Sequence, residues 1–255
     1  METTIIKLGG ALLTDKSKPF SLRYSVLNRI SREIAHAYRK CTSRIIVIHG
    51  GGSFGHYVVE QHDLLHSCDA ISQTIWFMRE MNMIIADALS SFGIPVIPFD
   101  THALTTIENN EIHIHLKPIT YALSLNLVPL LYGDIVLKEN GADIVSGDEI
   151  SWYLGKQLKP SRILFATTVD GVYDKDPANP DAKIIRILKL SDLRTIDFGK
   201  AKGVDVTGGM KTKLFLGLKY LDEGIREILI FSGFREGFVY KAICGYDIEG
   251  TKVID

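Results

Sequence analysis

The chain has 255 residues, 46% of them hydrophobic and 23% charged, with a formal net charge of −1. That length admits one sizeable α/β domain or two closely packed lobes, and the composition excludes a disordered chain. Lysines and arginines are scattered rather than clustered, so neither a nucleic-acid nor a membrane surface is expected, and any bound anion needs a local site.

Cys41, Cys68 and Cys244 lie far apart with no C-x-x-C pairing. This argues against a disulfide framework and against a cysteine-based metal site. The opening METTIIKLGG is too short and too quickly charged for a signal peptide. No apolar run approaches the roughly 20 residues of a bilayer span, so the cytoplasm is the expected compartment.

In chain order, short β-branched runs alternate with longer amphipathic ones. Thr3–Leu8 reads as a strand, Tyr24–Lys40 as a helix, Arg44–Ile48 as a strand and Ser72–Ser91 as a helix. Pro95–Phe99 is the next strand. Thr105–Leu116 reads as an edge hairpin turning at Asn109-Asn110. Strand Val128–Tyr132, helix Glu149–Leu158, strand Arg162–Val169, helix Lys211–Glu223 and strand Glu227–Phe231 complete the series. There is no internal repeat and no Pro/Ser-rich linker. The alternation predicts an α/β fold, a three-layer αβα sandwich with a mainly parallel central sheet and a peripheral β-hairpin.

Glycines cluster where strands end. Gly9-Gly10 follows the first strand, Gly50-Gly51-Gly52 and Gly55 the second, and Gly208-Gly209 opens the helix near Lys211. In open parallel sheets, ligands bind just beyond the carboxyl ends of strands, so these clusters point to one extended site lined by backbone amides. Gly50 to Gly55 is formally a G-x-G-x-x-G. The segment about 20 residues on reads as a loop entering a helix, not as a strand ending in an acid, so a dinucleotide fingerprint fits poorly. A tight turn is the bland alternative; anion cradling accounts better for four glycines in six residues.

Lys7 sits inside an otherwise apolar strand beside the first glycine pair, where it either snorkels to solvent or meets an anion. No G-x-x-x-x-G-K-[ST] occurs, so phosphate-handling groups must be distributed over several loops. The candidates are Lys7, Lys16, and Lys211 or Lys213. Asp148 reads either as a helix N-cap or as an orienter of a lysine, and Asp170-Gly171 either as a turn or as a ligand contact. Among eight histidines, His56 closes the glycine loop and is expected to donate to a substrate phosphate, whereas His49 reads as a satisfied core residue. His113 and His115 lack a third ligand, and no protein metal site is predicted.

The blocks KLGGALLTDK, HGGGSFGH, SGDE, TTVDGVYDKDP and DVTGGMKTK, in this order, resemble the amino-acid-kinase superfamily over most of the chain. The TDK and the histidine after the glycine loop are most similar to the isopentenyl phosphate kinases. That resemblance implies one amino-acid-kinase-like domain over 1–255, with an acceptor-binding lobe at about 1–145 and an ATP-binding lobe at about 146–255. It implies transfer of a phosphoryl group from ATP, with Mg²⁺, to isopentenyl phosphate in archaeal-type isoprenoid synthesis, and a homodimer.

By the same resemblance Lys7, Lys16, Asp148 and Lys211 serve catalysis. Lys7, Gly9, Gly10, Ala11, Gly52, Thr168, Asp170, Tyr173, Asp174, Gly208 and Lys211 face the nucleotide. Gly51, Gly55, His56 and Gly147 hold the acceptor phosphate, and Ile71, Ile75, Met78, Ile135 and Ile144 line its hydrocarbon. The chain departs from the family pattern at Ala11, where serine is common, and at Thr168, where aspartate is common. The competing readings are a fosfomycin kinase or another small-molecule kinase of the same superfamily, and a nucleotide-binding sensor without activity.

Overall fold

The structure, a computed structural model, describes residues 2–55, 67–175, 177–190, 209–220, 225 and 227–254. Strands β1 (Thr4–Leu8), β2 (Ile45–His49), β6 (Val128–Tyr132), β9 (Arg162–Thr167) and β11 (Glu227–Ser232) form the middle of an eight-stranded sheet. The shorter strands β3 (Val96–Pro98), β10 (Ile187–Lys189) and β12 (Thr251–Ile254) complete it, β3 and β10 at its edges, in the order β10-β12-β11-β9-β1-β2-β6-β3. All pairings are parallel except β11 with β12. The central strands are continuous apolar runs because both of their faces are covered.

Two separate cores do the covering. On one face α2 (Tyr24–Lys40), α3 (Cys68–Ser91) and α8 (Phe238–Cys244) pack Ile34, Met81, Ile85 and Ile243 onto Ile6, Val47 and Leu130. On the other, α5 (Leu116–Ser124), α6 (Gly147–Leu158) and α7 (Met210–Tyr220) pack Ile119, Trp152 and Leu214 onto Ile5, Ile48 and Phe165. The result is the three-layer αβα sandwich predicted from the alternation.

The hairpin is larger than the sequence indicated. β4 (Thr105–Glu108) and β5 (Glu111–Ile114) turn at Asn109 and Asn110, both with positive φ, as a tight hairpin turn requires. They are joined by a second hairpin, β7 (Asp134–Lys138) with β8 (Gly141–Val145), in a four-stranded sheet ordered β5-β4-β7-β8. Two four-residue helices, α1 (Gly10–Leu13) and α4 (Thr101–Leu104), follow the ends of β1 and β3.

The cysteine expectation is corrected. Cys41, the C-cap of α2, and Cys244, the last residue of α8, form a disulfide with Cα atoms 5.3 Å apart. The bridge spans 203 residues of sequence, a separation at which pairing cannot be deduced without the fold. Cys68 is free and exposed. Among the described residues no helix is long and apolar enough to cross a membrane.

Candidate active site

Four strand ends meet at one edge of the sheet. The pairs Leu8↔His49, Leu8↔Ala166 and Ser232↔Thr167 bring the carboxyl ends of β1, β2, β9 and β11 level. Backbone bonds tie the loops that leave them: Gly9 donates to Ala166 (2.9 Å), Gly50 to Leu8 (3.0 Å), Gly133 to His49 (3.0 Å) and Gly233 to Thr167 (2.8 Å). The glycines allow backbone to press on backbone. A Cβ at Gly10 would collide with Gly52 N and lie 2.7 Å from Gly52 Cα. Gly52 itself has φ +51, a conformation that costs glycine nothing.

Between these loops lies a buried charge triad. Asp148 Oδ1 accepts from Lys7 Nζ at 2.9 Å and from Lys213 Nζ at 2.5 Å. All three side chains are at most 15% exposed. Burial opposes the charge on Asp148, but the ammonium groups of Lys213 and Lys7 outweigh it and hold the carboxyl far below the usual range. Burial lowers Lys213 to about 8, against the pull of Asp148 and with the push of Lys7. The Lys213 carbonyl accepts from Trp152 Nε1 at 2.9 Å, and its ammonium lies 5.2 Å from the Phe165 ring centroid.

One carboxylate therefore gathers two lysines from elements far apart in sequence. Asp148 stands in the first turn of α6, where the helix dipole favours an anion. It is not the N-cap: Ser146 is, accepting from Glu149 N at 3.1 Å. Of the two lysines left open in TGGMKTK, Lys213 points inward to Asp148. The Lys211 side chain, His56 and Gly208 lie outside the described residues.

Lys16 is exposed near the tip of a short loop between α1 and α2 and makes no ion pair among the described residues. Gly147 lies against the end of β2, where a Cβ would stand 2.9 Å from the His49 carbonyl oxygen. His49 departs from the satisfied residue expected. Nδ1 lies 3.2 Å from the Gly50 carbonyl, but Nε2 is buried with no partner among the described residues. Burial lowers its imidazole to about 4, leaving it neutral at pH 7.

Of the residues expected at the nucleotide, Thr168 is exposed beyond β9, and Ala11 is half-buried in α1. Asp170 accepts from Arg235 Nε at 2.7 Å, and Arg235 also pairs with Glu249 at 2.7 Å. Tyr173 bridges to Ile184, and Asp174 Oδ1 accepts from Lys183 N at 2.9 Å.

Four of the five residues expected at a hydrocarbon do come together. Ile71, Ile75 and Ile144 pack with Ile135, Ala70 and Ala142 in a small apolar cluster separate from both cores. Met78 instead belongs to the larger core. Its Sδ lies 3.2 and 3.3 Å from where Cβ atoms at Gly51 and Gly55 would stand, so it touches the glycine loop itself. The start of β7 is pinned by Asp134, whose Oδ2 lies 2.7 Å from His102 Nδ1; that bond is the chief cause of a raised His102 pKa.

This geometry suits a reaction between two anions: buried cations, loops pressed backbone to backbone, and an apolar cluster on the same helix whose Met78 touches the glycine loop. The sequence matches the amino acid kinase family over residues 2–232. It is 35% identical to isopentenyl phosphate kinase of Methanocaldococcus jannaschii over 98% of each chain, and 30% identical to that of Methanothermobacter thermautotrophicus over 98% of each. A solved X-ray structure of isopentenyl phosphate kinase superposes with a TM-score of 0.84 at 26% identity, covering 99% of this chain and 100% of the other. The chain belongs to the amino acid kinase family.

Proposed function

We propose that the protein transfers the γ-phosphoryl group of ATP to isopentenyl phosphate, forming isopentenyl diphosphate. The observation that carries this reading is that one helix, α3, serves both the glycine loop and the apolar cluster. Met78 touches Gly51 and Gly55 of the glycine loop, and three residues before it on α3 Ile75 joins the Ile71, Ile135 and Ile144 cluster. A phosphate monoester with a short branched hydrocarbon matches both halves. The names of the relatives above agree with it.

The acceptor is a phosphate monoester whose second pKa is near 6, so it is largely dianionic at pH 7 and needs no general base. The work of the site is positioning and charge neutralisation. Lys7 and Lys213, held by Asp148, would face the ATP phosphates together with the amides of Gly9, Gly10 and Gly52. Lys211 and Gly208 belong to the same segment, and Thr168, Asp170, Tyr173 and Asp174 to the nucleotide side. Lys16 would approach the transferred group from the loop above. Gly51, Gly55, His56 and Gly147 would hold the acceptor phosphate.

ATP supplies the transferred phosphoryl group. Mg²⁺ would enter with the nucleotide, carried on its phosphates. In this reading residues up to about 145 form the acceptor lobe and those from about 146 the ATP lobe. The activity belongs in the cytoplasm, where ATP is available, and the expected assembly is a homodimer.

The test is ADP release with Mg-ATP against isopentenyl phosphate, fosfomycin, UMP, glutamate and N-acetylglutamate. Turnover of isopentenyl phosphate alone is the expected result. Turnover of fosfomycin alone would mean that the isoleucine cluster is ordinary core, and no turnover of any acceptor would favour a sensor.

A further inference from the structure

The loop that carries Lys16 is anchored by an aromatic residue in an unfavourable backbone conformation. Phe20 has φ +51, a region that bulky side chains avoid unless their surroundings hold them there. Its ring centroid lies 4.5 Å from that of Phe77 on α3 and 5.4 Å, edge-on, from that of Phe54 in the glycine loop. Phe77 in turn packs against both the large core and the Ile135–Ala142 cluster. A ring that is 36% exposed thus spans the glycine loop and the helix that supplies the hydrocarbon cluster.

The rest of the loop transmits that position to Lys16. Thr14 and Leu22 pair across its base, and Asp15 N donates to Ser21 O at 2.9 Å. Asp15 Oδ1 accepts from both the backbone and the hydroxyl of Ser17, on the far side of Lys16. Ser21 N donates to Ser53 Oγ at 3.0 Å, and Ser53 N to Thr14 Oγ1 at 2.9 Å. The lysine loop and the glycine loop are therefore fastened at both the base and the Phe20 end.

We infer that Phe20 is a positioning residue, its ring resting on Phe77 and Phe54 so that an acceptor hydrocarbon packed beneath them fixes Lys16 over the transferred phosphoryl group. This rests on the proposed hydrocarbon-bearing acceptor. It follows from a general requirement of catalysis: binding energy from an unreactive part of a substrate raises the rate only if it is used to place a reacting group. Phe20, four residues from Lys16 and in contact with the acceptor helix, is placed to make that connection.

The experiment is a double-mutant cycle on kcat for isopentenyl phosphate. Phe20→Gly removes the ring while suiting the positive φ. It is expected to lower kcat at least ~30-fold, the scale of losing one well-packed apolar contact in the transition state. The KM for ATP should stay within about twofold, since Phe20 faces the acceptor side. Lys16→Ala should cost about 10²–10³ in the natural chain. In the Phe20→Gly background it should cost only what remains, roughly 3–30-fold, because part of the lysine's contribution is already lost with its position. Additive losses would overturn the inference, as would an unchanged kcat. A fall in melting temperature with an equal loss of ATP affinity would also overturn it, in favour of a merely structural ring. If the natural chain fails to turn over isopentenyl phosphate, the functional reading and this inference fall together; if it turns over and the cycle is additive, only the inference falls.

Discussion

Replacing Asp148 by asparagine isolates the charge logic of the site. The change keeps the shape of the side chain but removes the charge that two buried ammonium groups share at 2.9 and 2.5 Å. Breaking a buried pair by removing one partner costs about 3–5 kcal/mol, because the surviving charge is stranded. Here two like charges are stranded side by side. We expect Asp148→Asn to lose about 3 kcal/mol or more at pH 7, read as a fall of roughly 1 M in the urea midpoint. The sign of the pH dependence follows. With the carboxylate gone, burial depresses Lys213 still further below its unfolded value, so the unfolded chain binds more protons and stability recovers as pH rises toward about 10. Removing one stranded ammonium as well, with Lys213→Met, should restore part of the loss. A midpoint shift equivalent to less than about 1 kcal/mol, with no recovery at high pH, would refute the account of a coupled buried triad.

Three further outcomes follow from the same structure. The kcat/KM for ATP should fall as pH rises through about 8, where Lys213 loses its proton in the free enzyme. On the acid side kcat/KM for the acceptor should fall below about pH 6 as its phosphate is protonated; flat profiles from about pH 5 to 9 would contradict both assignments. Gly10→Ala should lower kcat/KM for ATP by about 10²-fold, since its Cβ has no room against Gly52 and must push the two loops apart; activity within threefold of the natural chain would show that the loops need not touch. Reducing the Cys41–Cys244 bridge, or replacing Cys41 by serine, should cost about 2–4 kcal/mol and lower the melting temperature by roughly 5–15 °C. An identical melting curve with and without reductant would mean the bridge is not formed in solution.

The parts of this molecule that could be read from sequence are those in which one physical requirement dominates. β1, β2, β6, β9 and β11 are buried on both faces, so they appear as unbroken β-branched runs. The turn at Asn109-Asn110 was legible because few residues adopt positive φ twice in succession. The β7–β8 hairpin was not read as strands: its runs DIVLK and GADIV are interrupted or flanked by charged residues and only partly buried. Their isoleucines entered the sequence reading as lining for a hydrocarbon instead.

At the site, the glycine clusters and Asp148 stood out because each is costly or unusual where it occurs. Lys213 did not separate from Lys211, since both are lysines two residues apart at a helix start. Helical periodicity holds the distinction: Lys213 lies beside Leu214 and within one turn of Gly217, on the face that packs against Trp152. The Cys41–Cys244 pairing had no local signal at all. It depends on α2 and α8 lying side by side on one face of the sheet, a fact that exists only in the fold.

The most direct test of the central claim is a ³¹P NMR record of a single turnover with Mg-ATP and isopentenyl phosphate, run for the natural chain and for Lys213→Met. The natural chain should consume the monoester signal and produce a diphosphate pair in step with ADP. The variant should do so about 10²–10³ times more slowly while still binding the acceptor. No diphosphate from the natural chain, or an undiminished rate in the variant, would contradict the account.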